Sequence, residues 1–170
     1  MNIVLTGFMG TGKTAVGRHL ANELHISFVD VDMTIAKKAG KSIKEIFTSQ
    51  GEAAFREIEA SVLAEVTGQD KTVIATGGGA LMAPKNREIL QKNGILVCLT
   101  AKMGTLLERL KDDPTRPLLA GENLEHKIAR LMKERQDIYN LCPVQVDTDG
   151  KTIAQVSKEI IEKVRPQWQN

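Results

Sequence analysis

Residues Gly7 to Thr14 read G-F-M-G-T-G-K-T, which meets the pattern G-x-x-x-x-G-K-[ST] at every fixed position. Glycines in such a run let the backbone curl with its N–H groups turned inward toward phosphate oxygens. A helix starting near Lys13 adds the partial positive charge of its N-terminus at the same point. Lys13 is placed to reach the β- and γ-phosphates of a nucleotide, and Thr14 to set its hydroxyl on Mg²⁺. The expected ATP-binding run is Gly10, Thr11, Gly12, Lys13, Thr14 and Ala15. The bland alternative is a Gly-rich turn that happens to end in Lys-Thr, and it leaves the apolar strand before the run and the amphipathic pattern behind it unexplained. The motif specifies a nucleotide and magnesium and leaves the acceptor open.

The acceptor side is read from four further places. Phe28-Val29-Asp30-Val31-Asp32 ends a second strand with carboxylates two residues apart. Ligands of open α/β sheets collect at the carboxyl ends of strands, which puts Asp30 and Asp32 near the P-loop. One carboxylate suits magnesium, held through water because Mg²⁺ keeps several of its waters. The other can take the proton of an attacking hydroxyl. The competing use is that both simply cap the helix that follows, Asp32 being a plausible N-cap. Phe47 to Arg56 is expected to open a helix on which Glu59, three residues on, braces the Arg56 guanidinium. A later stripe runs Leu124, Ile128, Leu131, Ile138, and Arg135 completes its three-four step. A charge on an inward stripe is costly unless paired, so Arg135 needs an anion. That anion is either a bound carboxylate or a carboxylate of the core. Gly77, Gly78 and Gly79 follow a third strand and allow a ligand close to the backbone. They stand where many P-loop enzymes carry a Walker-B aspartate, and the absence of one argues against GTPase-like or motor activity.

These residues need a scaffold, and the apolar pattern supplies one. Strands are expected at Ile3–Leu5, Ser27–Val29, Thr72–Ala75, Ile95–Leu99 and Val144–Val146. Helical spacing connects Val16, Leu20 and Leu24, and again Phe55, Ile58, Val62 and Val66. Continuous apolar strands alternating with helices indicate an α/β fold, a parallel sheet covered on both faces. Residues 112–123 hold Pro114, Pro117 and Gly121 and break the pattern. The expectation is a mobile lid that carries Arg116 to the transferring phosphoryl group; a plain surface connection is the alternative.

The 170 residues fit one domain, 42% apolar and 26% charged. A net charge of +2, no basic stripe and 4% aromatics argue against a nucleic-acid partner. Cys98 reads as a small buried hydrophobe, and Cys142 directly precedes Pro143. No Cys/His cluster has zinc spacing, and a disulfide between the two is disfavoured by the expected cytoplasmic location without being excluded by spacing. No membrane span is expected. Whether a transit peptide was removed ahead of Met1 stays open.

Taken in order, G-F-M-G-T-G-K-T, F-V-D-V-D, S-I-K-E-I-F-T-S-Q-G-E-A-A-F-R-E-I-E, T-G-G-G-A, R-P-L-L-A and R-Q-D-I-Y resemble the shikimate kinase family over about four fifths of the chain. The resemblance implies transfer of the ATP γ-phosphate to the 3-hydroxyl of shikimate, on the way to chorismate and the aromatic amino acids. It implies that Lys13 and Thr14 bind phosphate and magnesium, one Mg²⁺ per subunit, with Asp30 reaching the ion through water. It further implies Asp32 as base and hydroxyl ligand, Arg56 and Arg135 as a clamp on the substrate carboxylate, and Glu59 orienting Arg56. Gly77, Gly78 and Gly79 line the substrate pocket, Arg116 arrives with the lid, and Arg109 lies against adenine. The implied fold is a five-stranded parallel sheet in the order 2-3-1-4-5, in a chain expected to be monomeric. Competing readings are a kinase of another small acceptor, such as gluconate or a nucleoside monophosphate, and a nucleotide-binding module that has lost catalysis.

Overall fold

A computed structural model describes residues 1–111 and 123–168 of the chain. Five strands, β1 (Asn2–Gly7), β2 (Ser27–Asp30), β3 (Thr72–Ala75), β4 (Gly94–Thr100) and β5 (Val144–Asp147), form one parallel sheet in the order β2-β3-β1-β4-β5. The helices are α1 (Lys13–Leu24), α2 (Val31–Ala39), α3 (Ile43–Val66), α4 (Pro84–Asn93), α5 (Met103–Leu110), α6 (Leu124–Asn140) and α7 (Ile153–Trp168), with a 3₁₀ turn at Ala80–Met82. The expected fold class, strand order and all five strands are present.

The period of two along each strand divides the core. Val4, Ile74, Leu96 and Cys98 point to the face covered by α2 to α6, where they meet Ile35, Val62, Leu90 and Ile128. Ile3, Leu5, Val73, Val97 and Leu99 point to the other, against Val16 and Leu20 of α1 and Val156, Ile160 and Val164 of α7. Burial on both faces explains why these strands read as unbroken apolar runs. Pairing is parallel throughout, with Leu5 opposite both Ala75 and Val97. The carboxyl ends of β1, β2 and β3 therefore open at one edge, and the P-loop, the two aspartates and the triple glycine follow from there. Cys98 and Cys142 are buried free thiols, so the two do not form a disulfide.

Two local expectations are corrected. The helix expected to open over Phe47–Arg56 starts earlier, at Ile43. Ser42 caps it and Glu45 returns a bond to the Ser42 N–H, a reciprocal pair visible as S-x-x-E in the sequence. Gly51, at φ 84 and ψ 172, breaks α3 into two helical pieces, so Phe47 and Phe55 lean together with ring centroids 4.7 Å apart. The aspartates do not both end β2, which stops at Asp30 with Asp32 in the first turn of α2. The lid expected over 112–123, with Arg116, lies outside the described residues, except for Asn123, which caps α6 through Glu125 and His126 N–H groups.

The turn out of β1 admits one residue type. Gly7 has φ 124, and a Cβ there would sit 2.2 Å from the Leu99 carbonyl oxygen of the paired strand. Backbone cannot yield at the centre of a sheet as a side-chain tip can. Gly7→Ala is therefore expected to destabilise by about 3 kcal/mol or more, from overpacking added to backbone strain. Thermal unfolding should show a midpoint lower by roughly 10 °C. An unchanged midpoint would mean that β1 and β4 do not approach this closely.

Candidate active site

The nucleotide end is built by the turn between β1 and α1. Gly12, in the left-handed region, precedes Lys13 and provides no side-chain cap, so the first N–H groups of α1 are left for an anion. Thr11 Oγ1 donates to Phe8 O at 2.8 Å and closes the loop. Lys13 Nζ donates to Gly7 O at 2.9 Å and to Phe8 O at 2.8 Å, which folds its charge over the loop's own carbonyls. Across the opening, Arg109 Nη1 donates to Gly10 O at 3.0 Å and to Thr148 Oγ1 at 3.4 Å. Arg109 thus ties the P-loop to the segment after β5.

Asp30 and Asp32 divide their work differently from the sequence expectation. β2 ends at Asp30, and Asp30, not Asp32, is the cap of α2, its Oδ1 accepting from Met33 N at 3.1 Å. Its Oδ2 accepts from Thr14 Oγ1 at 2.6 Å. One carboxylate therefore fixes both a helix start and the P-loop hydroxyl. Asp32 lies in the first turn of α2, half-buried, and lines the cavity beside the loop. The capping reading therefore holds for Asp30 and not for Asp32.

The cavity has a volume of about 630 Å³ and reaches from Thr14 to Arg135. Gly77, Gly78 and Gly79 form its floor. Side chains of the site occupy the space that larger residues here would fill. A Cβ on Gly77 would lie 2.8 Å from Asp32 Oδ1 and 3.0 Å from Glu59 Oε1, and one on Gly79 would lie 2.6 Å from Arg56 Nη2. The glycines admit the acidic and basic side chains as well as any ligand.

Glu59 is wholly buried and accepts from Arg56 Nη1 at 2.8 Å through Oε2. Burial pushes its carboxyl above the ordinary range, against the pull of Arg56 beside it. Its Oε1 finds no donor among the described residues, although it bounds the same space as Asp32. Arg56 also pairs with Glu52 Oε1 at 3.0 Å. Burial works against the Arg56 charge, but the two glutamates outweigh it and hold the guanidinium protonated. Arg135 is 5% exposed, as the inward stripe required. It donates to Gly78 O at 3.1 Å and lies over the Phe8 ring at 5.8 Å. Among the described residues no carboxylate lies within ion-pair distance of Arg135, although its charge acts on the buried Glu59 carboxyl.

Sequence reasoning missed part of the lining. Met33, Ile43, Phe47 and Phe55 add apolar side chains to the lining, with the Arg56 guanidinium over the Phe55 ring at 5.1 Å. Phe55 was legible only as a helix-core position, and the Gly51 break that turns Phe47 toward it left no periodic signal. Tyr139 was missed as well. The buried stripe of α6 runs Ile128, Leu131, Arg135, Tyr139 and ends on Tyr139 instead of Ile138. A tyrosine four residues from a buried arginine on an inward face was the available signal.

The shikimate kinase family model matches residues 9–165. A shikimate kinase of Geobacter sulfurreducens is 46% identical over 164 residues, 96% of this chain and 91% of its own. A solved shikimate kinase from Acinetobacter baumannii, in complex with shikimate, superposes with a TM-score of 0.94 at 40% identity, over 98% of this chain and 93% of its own. A gluconokinase from Sinorhizobium meliloti reaches a TM-score of 0.66 at 16% identity, over 99% of this chain and 94% of its own, which is a likeness of fold alone. Fold is thus common ground between these kinases, while identity of this extent along nearly the whole length is not, and the chain belongs to the shikimate kinase family.

Proposed function

We propose that the chain transfers the γ-phosphate of ATP to the 3-hydroxyl of shikimate, giving shikimate 3-phosphate and ADP, with the residues gathered around the triple glycine and the P-loop. The observation that carries this reading is the convergence of two arginines and two carboxylates on one glycine floor beside a phosphate-binding loop. Shikimate is a small polyol with one carboxylate. Arg56 and Arg135 supply planar paired donors for the carboxylate. Asp32 and the open Glu59 Oε1 supply acceptors for hydroxyls.

In the step itself, Asp32 accepts the proton of the 3-hydroxyl as that oxygen bonds to the γ-phosphorus. The bond from that phosphorus to the bridging oxygen breaks, and its electrons leave with ADP. Lys13 and the N–H groups from Gly10 to Ala15 hold the phosphates in line. Thr14 Oγ1 donates to Asp30 Oδ2, and these two hard oxygens would hold Mg²⁺, the Asp30 oxygen through water. One such ion per subunit would supply neutralisation of the nucleotide's phosphate charge. Arg109 closes the adenine side, and Arg116, outside the described residues, is assigned to the phosphoryl group from the sequence. Residues 1–170 are read as one kinase domain with a lid at about 112–123.

We further read the chain as cytoplasmic and monomeric. Buried free thiols suit a reducing compartment. Among the described residues the exposed large apolar side chains are few, Met1, Met33, Leu141 and Ile153. No helix among those residues is long and apolar enough to cross a membrane.

The reaction is tested by incubating the protein with Mg-ATP and shikimate and following ³¹P resonances. A new phosphomonoester signal coupled to the proton on C3 is expected, and phosphate on another hydroxyl would overturn the assignment. The clamp is tested separately. Arg135→Ala should weaken shikimate binding by roughly ten- to a hundredfold, the worth of a charge-assisted hydrogen bond in a shielded site. ATP binding should change by less than about twofold. Calorimetric titration of each ligand decides it, and equal weakening of both would make Arg135 a structural residue.

A further inference from the structure

We propose that Tyr139 is a positioning residue for the acceptor: its hydroxyl shares the Gly78 carbonyl with Arg135 and so keeps that guanidinium turned toward the substrate carboxylate. The inference rests on the reading of Arg135 as a clamp and adds a residue to which the reaction assigned no part.

Tyr139 lies one helical turn beyond Arg135 on the buried face of α6. Its hydroxyl donates to Gly78 O, the same oxygen that accepts from Arg135 Nη1 at 3.1 Å. A carbonyl oxygen has two lone pairs, and here each has one donor. The Arg135 guanidinium also lies beside the phenol oxygen. Burial pushes the phenol up to about 12, so the group stays protonated and keeps its donor at any working pH. Gly78 belongs to the cavity floor, so this bond fixes a peptide that lines the site.

Without the hydroxyl, one lone pair of Gly78 O is left in a shielded place. Arg135 already donates to that oxygen, and its guanidinium carries five N–H bonds. A second Arg135 N–H then turns to the floor, and the fork presented to a substrate carboxylate is lost. Tyr139 acts through Arg135 and touches no reacting atom.

Tyr139→Phe deletes one oxygen and keeps the ring that fills the core. The KM for shikimate should rise by roughly tenfold, with kcat and the KM for ATP within about twofold. In an Arg135→Ala background the same substitution should add less than about twofold, because the group it orients is gone. Tyr139 is the sole tyrosine of the chain, so a ¹³Cζ-tyrosine label gives one resonance. That resonance should move when shikimate is added and stay in place with ADP alone. Three results overturn the inference: an unchanged shikimate KM, a parallel rise in both KM values, or full additivity with Arg135→Ala. If the unsubstituted protein releases no ADP in response to shikimate, the reading of the site falls too. If it does, and Tyr139→Phe matches it, only the role of Tyr139 falls.

Discussion

Lys13→Ala should lower kcat by at least about a thousandfold, the upper scale for removing one preorganised donor from a developing charge. The ammonium already sits over the loop that receives the phosphates, 2.9 Å from Gly7 O and 2.8 Å from Phe8 O. A nucleotide therefore meets a cation held in place, with little reorganisation left for the transition state. The fold should survive. Lys13 is half-buried at a loop-to-helix junction and is no member of either apolar core. Loss of its bonds to two loop carbonyls should lower the thermal midpoint by only roughly 3 °C, since net hydrogen bonds are worth about 1 kcal/mol each and water can reach this edge. An ADP-release assay beside a melting curve separates the two effects. Near-normal turnover in a folded variant would take the lysine out of the mechanism.

Asp32→Asn should lower kcat by at least about a hundredfold. The amide keeps the shape and one acceptor oxygen, but it cannot take a proton. Capping of α2 is no confounding factor, because Asp30 performs it. Asp32 Oδ1 and Glu59 Oε1 bound the same space above Gly77, so a substrate hydroxyl placed there would have two carboxylate oxygens within reach. The KM for shikimate should change much less than kcat, since the amide still accepts one hydrogen bond. A two- or threefold loss of kcat would make Asp32 a positioning group and show that proton transfer does not limit the rate.

How much of this was legible in the sequence depended on range. The P-loop is a local device, with glycines, lysine and threonine all within eight residues, and the strand and helix expected on either side of it are present. Strands buried on both faces left continuous apolar runs, so the sheet was legible as well. Arg135 was found because a charge on an inward stripe contradicts its own pattern. The less legible features depend on contacts between distant segments. Asp30 and Asp32 look interchangeable as caps until Thr14 and Met33 are placed around Asp30. The open oxygen of Glu59 has no sequence signal, because Arg56 three residues away accounts for the carboxylate locally. The triple glycine was read as access for a ligand, yet two of its missing Cβ atoms make room for Asp32, Glu59 and Arg56. Tyr139 and Gly78 are 61 positions apart, a separation over which periodicity carries no information.

We propose that this cavity selects a small polyol bearing one carboxylate as the phosphoryl acceptor. The most direct test is acceptor-dependent ADP release with Mg-ATP, measured as kcat/KM for shikimate, its neutral carboxamide, quinate, gluconate and a nucleoside monophosphate. Shikimate should exceed each of the others by at least about a hundredfold, with the carboxamide losing its advantage through KM as two arginines lose their anion. Equal or greater kcat/KM for gluconate or the nucleotide, or a carboxamide as good as the acid, would contradict the account.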